Sequence, residues 1–311
     1  MRLIDVTAKF QTEDQCLDYI EKMRWPNGEI GCVHCGEIGH ISKITRGTKG
    51  DNKRTRIYQC TACGKQFSAT SGTIFNDSHL PLTKWFMAIA LICEAKKGIS
   101  ACQLQRHLGV NYRTAWYLAH RIREAMNEGD FVLSGEVEID ETYVGAKVLR
   151  KGKPYPKKTE KDVVLGMAER GGRSRLLPVP DAKRAILQPV IEKHVSKDVD
   201  VIYTDEHPTY EWGLKDNYPN KHRTINHSRT YAIGRTHTNT IENRFSLFKR
   251  GLMGSFHHIS IKHLGRYCNE FSYRFDRRGE QAQMFDETLR NLTRGEALPY
   301  AKLTSPDPSA S

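Results

Sequence analysis

The spacing of apolar residues divides the chain into segments of different period. Cys16, Leu17, Tyr19, Ile20 and Met23 recur at helical intervals and stop at the turn signal Trp25-Pro26-Asn27-Gly28. Residues 1 to 30 therefore predict a helical N-terminal segment. Residues 31–75 read as short strand-like pieces. Residues 80–128 read as helices in the runs LTKWFMAIALICEAKK, ISACQLQRHLG and NYRTAWYLAHRIREAM. In the last two runs Ser100 and Asn111 are expected caps, and Gly109 supplies a turn. Ala101, Leu104 and Leu108, then Ala115, Leu118 and Ile122, form the apolar stripes. That pattern predicts a helix-turn-helix, with Tyr112, Arg113, Trp116, His120, Arg121 and Arg123 facing outward or sideways. An ordinary helical hairpin with Trp116 in its core is the competing reading. Residues 133–280 alternate strand and helix patterns, which predicts an α/β or mixed-sheet domain. Residues 281–311 read as a C-terminal extension whose tail, TSPDPSAS, is expected to be disordered.

Within the α/β segment the polar positions carry the chemistry. In SGEVEID, Val137 and Ile139 alternate with Glu136, Glu138 and Asp140, a half-buried strand pattern that is expected to end at Asp140. The same alternation, Val199, Val201 and Tyr203, leads to Asp205. Parity sets Glu141 with Val137 and Ile139 on the opposite face from Asp140, and Glu206 is a weaker rival to Asp205. In HTNTIENRFSLFKR, Ile241, Phe245, Phe248 and Leu252 make an apolar helical stripe. Asn239, Glu242, Ser246 and Lys249 make a polar one. Seven residues return Lys249 over Glu242 two turns on, roughly 10 Å along the axis. Two acids at strand ends and one on a later helix suit a cage for two divalent cations, which favour oxygen ligands and support in-line phosphoryl displacement. His207, His237 and Asn239 are candidates to support that site or to touch DNA. Singly, each acid is an ordinary solvated side chain; the trio with Lys249 is the signal.

Composition narrows the partner. The net charge is +12 and the isoelectric point about 9.3, which points to a polyanion, with nucleic acid first. No apolar run spans a bilayer, and the opening MRLIDVTAKF lacks the apolar core of a signal peptide. A cytoplasmic protein, with no membrane partner, is expected. Of eight cysteines, Cys32 with Cys35 and Cys60 with Cys63 form two Cys-x-x-Cys-Gly pairs. Four thiolates close a tetrahedral shell, so one structural zinc in a ribbon is expected. Tyr58 and Phe67 should pack on that ribbon, His34 should point away, and His40 is at most a substitute ligand. The stretch RGTKGDNKRTR (46–56) fits a basic hairpin tip. KVLRKGKPYPKKTEK (147–161) fits a basic arm laid on DNA or a solvated loop.

The runs EIDETYVG, YTDEHPTY, HTNTIENRFSLFKRG and LGRYCNEFSYRFDRR resemble the DDE transposases of bacterial insertion sequences, in the zinc-ribbon group related to Merlin elements. GTIF (72–75), KWFMAI (84–89) and TAWYLAHRIREAM (114–126) match the front half of that family. The resemblance covers residues 10 to 280. It implies a ribonuclease-H-like catalytic core behind a zinc ribbon and a helix-turn-helix that bind terminal inverted repeats. It also implies Asp140, Asp205 and Glu242 as catalytic ligands of two Mg2+ or Mn2+ ions. Some relatives carry Asn as the third ligand, and most carry Trp where this chain has Phe245.

The expected function is metal-dependent DNA cleavage and strand transfer by a transposase bound to its inverted repeats and to target DNA. Joining two ends calls for a homodimer or larger assembly, acting at the bacterial nucleoid. Tyr112, Arg113, Arg121, Arg123, Arg244, Lys249 and Arg250 are the expected DNA contacts. A DNA-binding regulator or inactive domesticated transposase, and a ribonuclease-H-like nuclease or resolvase without joining activity, are the alternatives.

Overall fold

The computed structural model describes residues 1–44, 56–145, 162–225 and 236–305, except the side chain of Trp212. The basic hairpin tip, save Arg56, and the basic arm at 147–161 lie outside the described residues. In chain order the elements are α1 (Leu3–Lys9), α2 (Glu13–Arg24), β1 (Ile41–Ile44), β2 (Ile57–Cys60), β3 (Gln66–Phe67), α3 (Leu82–Glu94), α4 (Ala101–Leu108) and α5 (Tyr112–Ala125). There follow β4 (Glu136–Val144), β5 (Asp162–Glu169), β6 (Ser174–Val179), α6 (Arg184–His194), β7 (Val201–Asp205), α7 (Pro208–Lys215) and β8 (His222–Ile225). The chain closes with α8 (Asn239–Gly251), α9 (Ile261–Asp276), α10 (Gln281–Arg294) and α11 (Tyr300–Thr304). Two compact units result: residues 1–95 with 99–126 and 280–311, and residues 96–98 with 127–279. Among the described residues no helix is long and apolar enough to cross a membrane.

The first unit gathers its helices around aromatic rings. Phe10 lies 4.7 Å from Phe86 and 5.0 Å from Tyr19, and Phe86 lies 5.7 Å from Phe285, in edge-on contacts. Phe285 belongs to α10, which packs against α2, α3 and α5. The segment read from sequence as an extension is thus built into this core, through Met284, Phe285, Leu289 and Leu292. Ser100 caps α4 by accepting from the Gln103 N–H, and Asn111 caps α5 by accepting from the Thr114 N–H. Between them Gly109 takes a left-handed φ of 59°, which costs a residue with a Cβ and closes the first helix.

Two arginines of α5 do not face outward. Arg121 is buried, its guanidinium donating to the carbonyls of Ile74 and Asn76 and lying over the rings of Trp85 and Tyr117. Burial lowers its pKa. Arg123 is likewise buried. Their expected place on a DNA-facing surface is therefore corrected. Tyr112 and Arg113 remain exposed, with Arg113 stacked 4.2 Å from the Tyr300 ring of α11.

The second unit is a five-stranded sheet in the order β6-β5-β4-β7-β8. The β6, β5 and β4 neighbours run antiparallel, and the β4, β7 and β8 neighbours run parallel. Three antiparallel strands followed by two parallel ones make the mixed α/β, ribonuclease-H-like core. Strand parity divides the side chains between two layers. Val137, Ile139, Leu165, Met167 and Ile202 pack with Leu187 and Ile191 of α6 and Tyr210 and Leu214 of α7. On the other face Val144, Val164, Ala168 and Leu176 pack with Ile241, Phe245 and Phe248 of α8 and Leu264 and Phe271 of α9. The second layer brings the helix bearing Glu242 onto the sheet.

One expectation about β4 changes. The strand does not end at Asp140 but continues to Val144, paired with β5 throughout. What ends early is the pairing with β7, whose last rung is Glu138 opposite Tyr203.

Candidate active site and zinc centre

Two chain reversals of like geometry build the thiol cluster. The Gly36 N–H donates to the Cys32 carbonyl and the Gly64 N–H to the Cys60 carbonyl, at 2.9 and 2.8 Å. Both glycines hold left-handed φ values, 80° and 72°, so the two turns depend on the missing Cβ. The Sγ atoms of Cys32, Cys35, Cys60 and Cys63 lie within 4.8 Å of one another. Cys32 and Cys63, and Cys35 and Cys60, are each 3.7 Å apart at sulfur. A tetrahedral shell with Zn–S bonds of about 2.3 Å sets its sulfurs about 3.8 Å apart, so the four thiols fit a structural zinc. Burial works against the Cys32 thiolate, but N–H groups of His34 and Cys35 and the neighbouring thiols bring its pKa down to about 7. Tyr58 and Phe67 pack beside the cluster with Trp25. His34 is exposed and lies near the Gln66 carbonyl, and His40 pairs with Glu37.

The acidic site forms where two strands part. Two residues beyond the last β4–β7 rung stand Asp140 and Asp205, so the register sets them level on neighbouring strands. Asp205 ends β7 and accepts from the His207 N–H at 3.0 Å, which starts α7. Asp140 accepts from the Glu141 N–H at 2.8 Å. Its neighbour on β5 is Gly166. A Cβ at Gly166 would lie 2.5 Å from the Phe245 ring and 2.6 Å from Ile241, so the glycine is what lets α8 sit down beside Asp140. Glu242, in the first turn of α8, accepts from the Thr238 hydroxyl at 2.8 Å. Glu141 faces the other layer, where the Tyr210 hydroxyl donates to it.

Asp140 carries the electrostatic signature of the site. Its pKa is pushed up to about 7, first by burial, then by the negative charges of Glu141, Asp205 and Glu242. Carboxylates that repel one another through their common space fit a hard dication, which would relieve that repulsion. Among the described residues, though, the only set of three or more ligating groups mutually within 4.8 Å is the thiol cluster. Asp140, Asp205 and Glu242 do not form such a set.

Residues 11–66 match the transposase zinc-ribbon domain, and residues 132–276 match the ISXO2-like transposase domain. The chain belongs to the insertion-sequence transposases. Consistent with this, the transposase is 26% identical over 290 residues to an uncharacterized protein of the transposable element ISH50 in Halobacterium salinarum. That alignment covers 88% of this chain and 95% of the relative. A crystal structure of a pre-cleavage Mos1 transpososome aligns over 69% of this chain and 80% of its own, at 13% identity. The TM-score of that alignment is 0.26.

The remaining candidates of the transposase divide by burial. Lys249 and Arg250 are exposed at the end of α8, Arg250 donating to the Ser246 hydroxyl. Arg244 is not available to DNA. It is buried, donates to the Thr240 and Gly172 carbonyls, and pairs with Asp276 at 3.5 Å over the Phe275 ring. Its expected DNA contact is corrected to a tie between α8 and the end of α9. Two residues the sequence left unmarked shape the site: Gly166, and Glu138, which strand alternation set on the half-solvated face but which is wholly buried. A lone glycine inside a strand run was a usable signal for close backbone approach. The burial of Glu138 had none.

Proposed function

We propose that the transposase binds the terminal inverted repeats of its element, cuts DNA at the element end, and joins the freed end to target DNA. Asp140, Asp205 and Glu242 are its catalytic carboxylates in this reading and would hold two Mg2+ or Mn2+ ions. The observation that carries it is the level placement of Asp140 and Asp205 at the parting of β4 and β7, with Asp140 raised to a pKa of about 7 first by burial and then by its acidic neighbours. When bound, the ions supply charge neutralisation at the phosphoryl group and acidify the attacking hydroxyl.

In the first step water attacks phosphorus and the departing 3′ oxygen leaves as a hydroxyl. In the second, that hydroxyl attacks a target phosphate and the target's own 3′ oxygen departs. No covalent protein–DNA link forms, so no Ser or Tyr nucleophile is required. Lys249 and Arg250 lie on the outer part of the helix that bears Glu242 and would hold backbone phosphates. Tyr112 and Arg113, at the exposed start of α5, would meet the inverted repeat in the major groove. Two ends must be joined, so the working form is a dimer or larger assembly on DNA, at the nucleoid in the cytoplasm.

The experiment is incubation of the full chain with Mg2+ or Mn2+, a labelled element end and a supercoiled plasmid. Nicking at the element end followed by joined product is expected. Binding without cleavage in either metal would replace this reading with a DNA-binding regulator. Cleavage without joined product would replace it with a nuclease.

A further inference from the structure

Glu138 precedes Asp140 by two residues on the same face of β4, yet it is fully buried. A buried carboxylate is costly unless its oxygens are taken up by donors. Here four donors surround it. One oxygen accepts from the backbone N–H groups of Thr240 and Ile241, at 2.6 and 3.1 Å. The other accepts from the Thr240 hydroxyl at 2.9 Å and from the Arg170 guanidinium at 2.7 Å. His237 Nδ1 lies 3.3 Å from the same oxygen.

Thr240 and Ile241 sit in the first turn of α8, the helix that bears Glu242. Such N–H groups have no partner within their helix and are ordinarily met by the N-cap side chain. The N-cap residue, Thr238, makes no such bond and gives its hydroxyl to Glu242 instead. The cap therefore comes from another element, the strand that carries Asp140.

Arg170 fixes the cap in turn. It donates to Glu136 at 2.9 Å and to the His237 carbonyl at 2.9 Å, and its guanidinium lies 3.9 Å from the centre of the Tyr203 ring. The Tyr203 hydroxyl also donates to Glu136, at 3.1 Å. One arginine thus ties together β4, β7 and the approach to α8.

We infer that Glu138 is a positioning residue: it caps α8 from the β4 strand and so sets Glu242 against Asp140. This rests on the reading of Glu242 as a metal ligand. Both Glu138 oxygens are engaged by protein donors, so it acts through Glu242 and not on an ion. Outer groups that orient metal ligands typically govern affinity by about 10- to 100-fold.

The test uses the full-length, zinc-loaded protein with Mn2+ as the probe, counting unbound ion by its electron paramagnetic resonance signal. Glu138→Gln keeps the shape but removes the charge and half the acceptor capacity. Its Mn2+ dissociation constant should rise roughly tenfold. A merely structural role would give fewer binding sites at an unchanged dissociation constant, and that result overturns the inference, as does wild-type affinity. Should Glu138→Gln fail to fold, Thr240→Val decides: it deletes only the hydroxyl bond and should weaken Mn2+ binding about two- to threefold. No change there overturns the inference. Glu242→Gln separates the two claims. If it binds Mn2+ and cleaves like wild type, the metal-centre reading fails and the inference with it. If it loses Mn2+ while Glu138→Gln does not, only the positioning role fails.

Discussion

Gly166→Ala adds one methyl group where α8 meets the sheet. The new Cβ would lie 2.5 Å from Phe245 Cζ, 2.8 Å from Phe245 Cε1 and 2.6 Å from Ile241 Cδ1. Carbon atoms rest at about 3.5–4.0 Å, so contacts on two successive turns of one helix must open by roughly 1 Å. Phe245 and Ile241 are both buried in the layer between α8 and the sheet, so making room displaces packed side chains and, with them, α8. Overpacking of this size costs about 1–3 kcal/mol, or roughly 2–10 °C in melting temperature for a domain of this length. The same shift moves Glu242 from Asp140, and a displacement near 1 Å is worth on the order of 100-fold in rate. The assay pairs thermal melting with single-turnover cleavage of a labelled element end. Gly166→Ala should lose both stability and rate, and Gly166→Ala with Phe245→Leu should recover part of each. Wild-type melting and wild-type cleavage in the single variant would refute the argument that this glycine seats the helix.

Other outcomes follow from the same contacts. Cys60→Ser should release zinc and unfold the ribbon, visible as loss of bound metal by mass spectrometry; full zinc content would contradict the four-thiolate shell. In metal-free protein the raised Asp140 pKa favours the protonated folded form, a stabilisation present below about pH 4 and lost as pH rises through about 7. Asp140→Asn should therefore flatten the fall in melting temperature over that interval, and wild-type Mn2+ affinity should climb as pH passes 7. A pH-independent difference between the two proteins would contradict the assignment. Arg244→Ala should destabilise by about 3 kcal/mol through the buried Asp276 it abandons. Lys249→Ala should leave melting unchanged and lower the salt slope of DNA binding by about 1; the reverse pattern would restore Arg244 as a DNA contact.

Local signals carried much of the architecture. Paired thiols with a following glycine describe a knuckle because the ligand spacing and the left-handed turn are both local. The helix caps at Ser100 and Asn111 are local in the same way. The mixed sheet followed from alternating patterns along the chain, and the resemblance supplied its ribonuclease-H-like type. What escaped the sequence depends on partners distant in the chain. Helical periodicity sets Arg121, Arg123 and Arg244 on particular faces, but not whether another element covers those faces. For Arg121 the cover is the 74–76 loop, and for Arg244 it is Asp276 and Phe275. Asp140 looked like a strand end because the apolar alternation stops there, whereas the pairing of the following residues with β5 could not be seen in one strand's pattern. Glu138 sits at a polar position in an alternating strand, and only the uncapped start of α8 explains why it is buried.

The central claim is that Asp140, Asp205 and Glu242 form one metal centre. Its most direct measurement is anomalous scattering from crystals of the full chain soaked in Mn2+. The account predicts manganese at direct coordination distance, about 2 Å, from oxygens of Asp140 and Asp205, with Glu242 ligating in the same centre. That density should be gone from crystals of Asp140→Asn. Manganese absent from these carboxylates, in a protein that still cuts an element end, would contradict it.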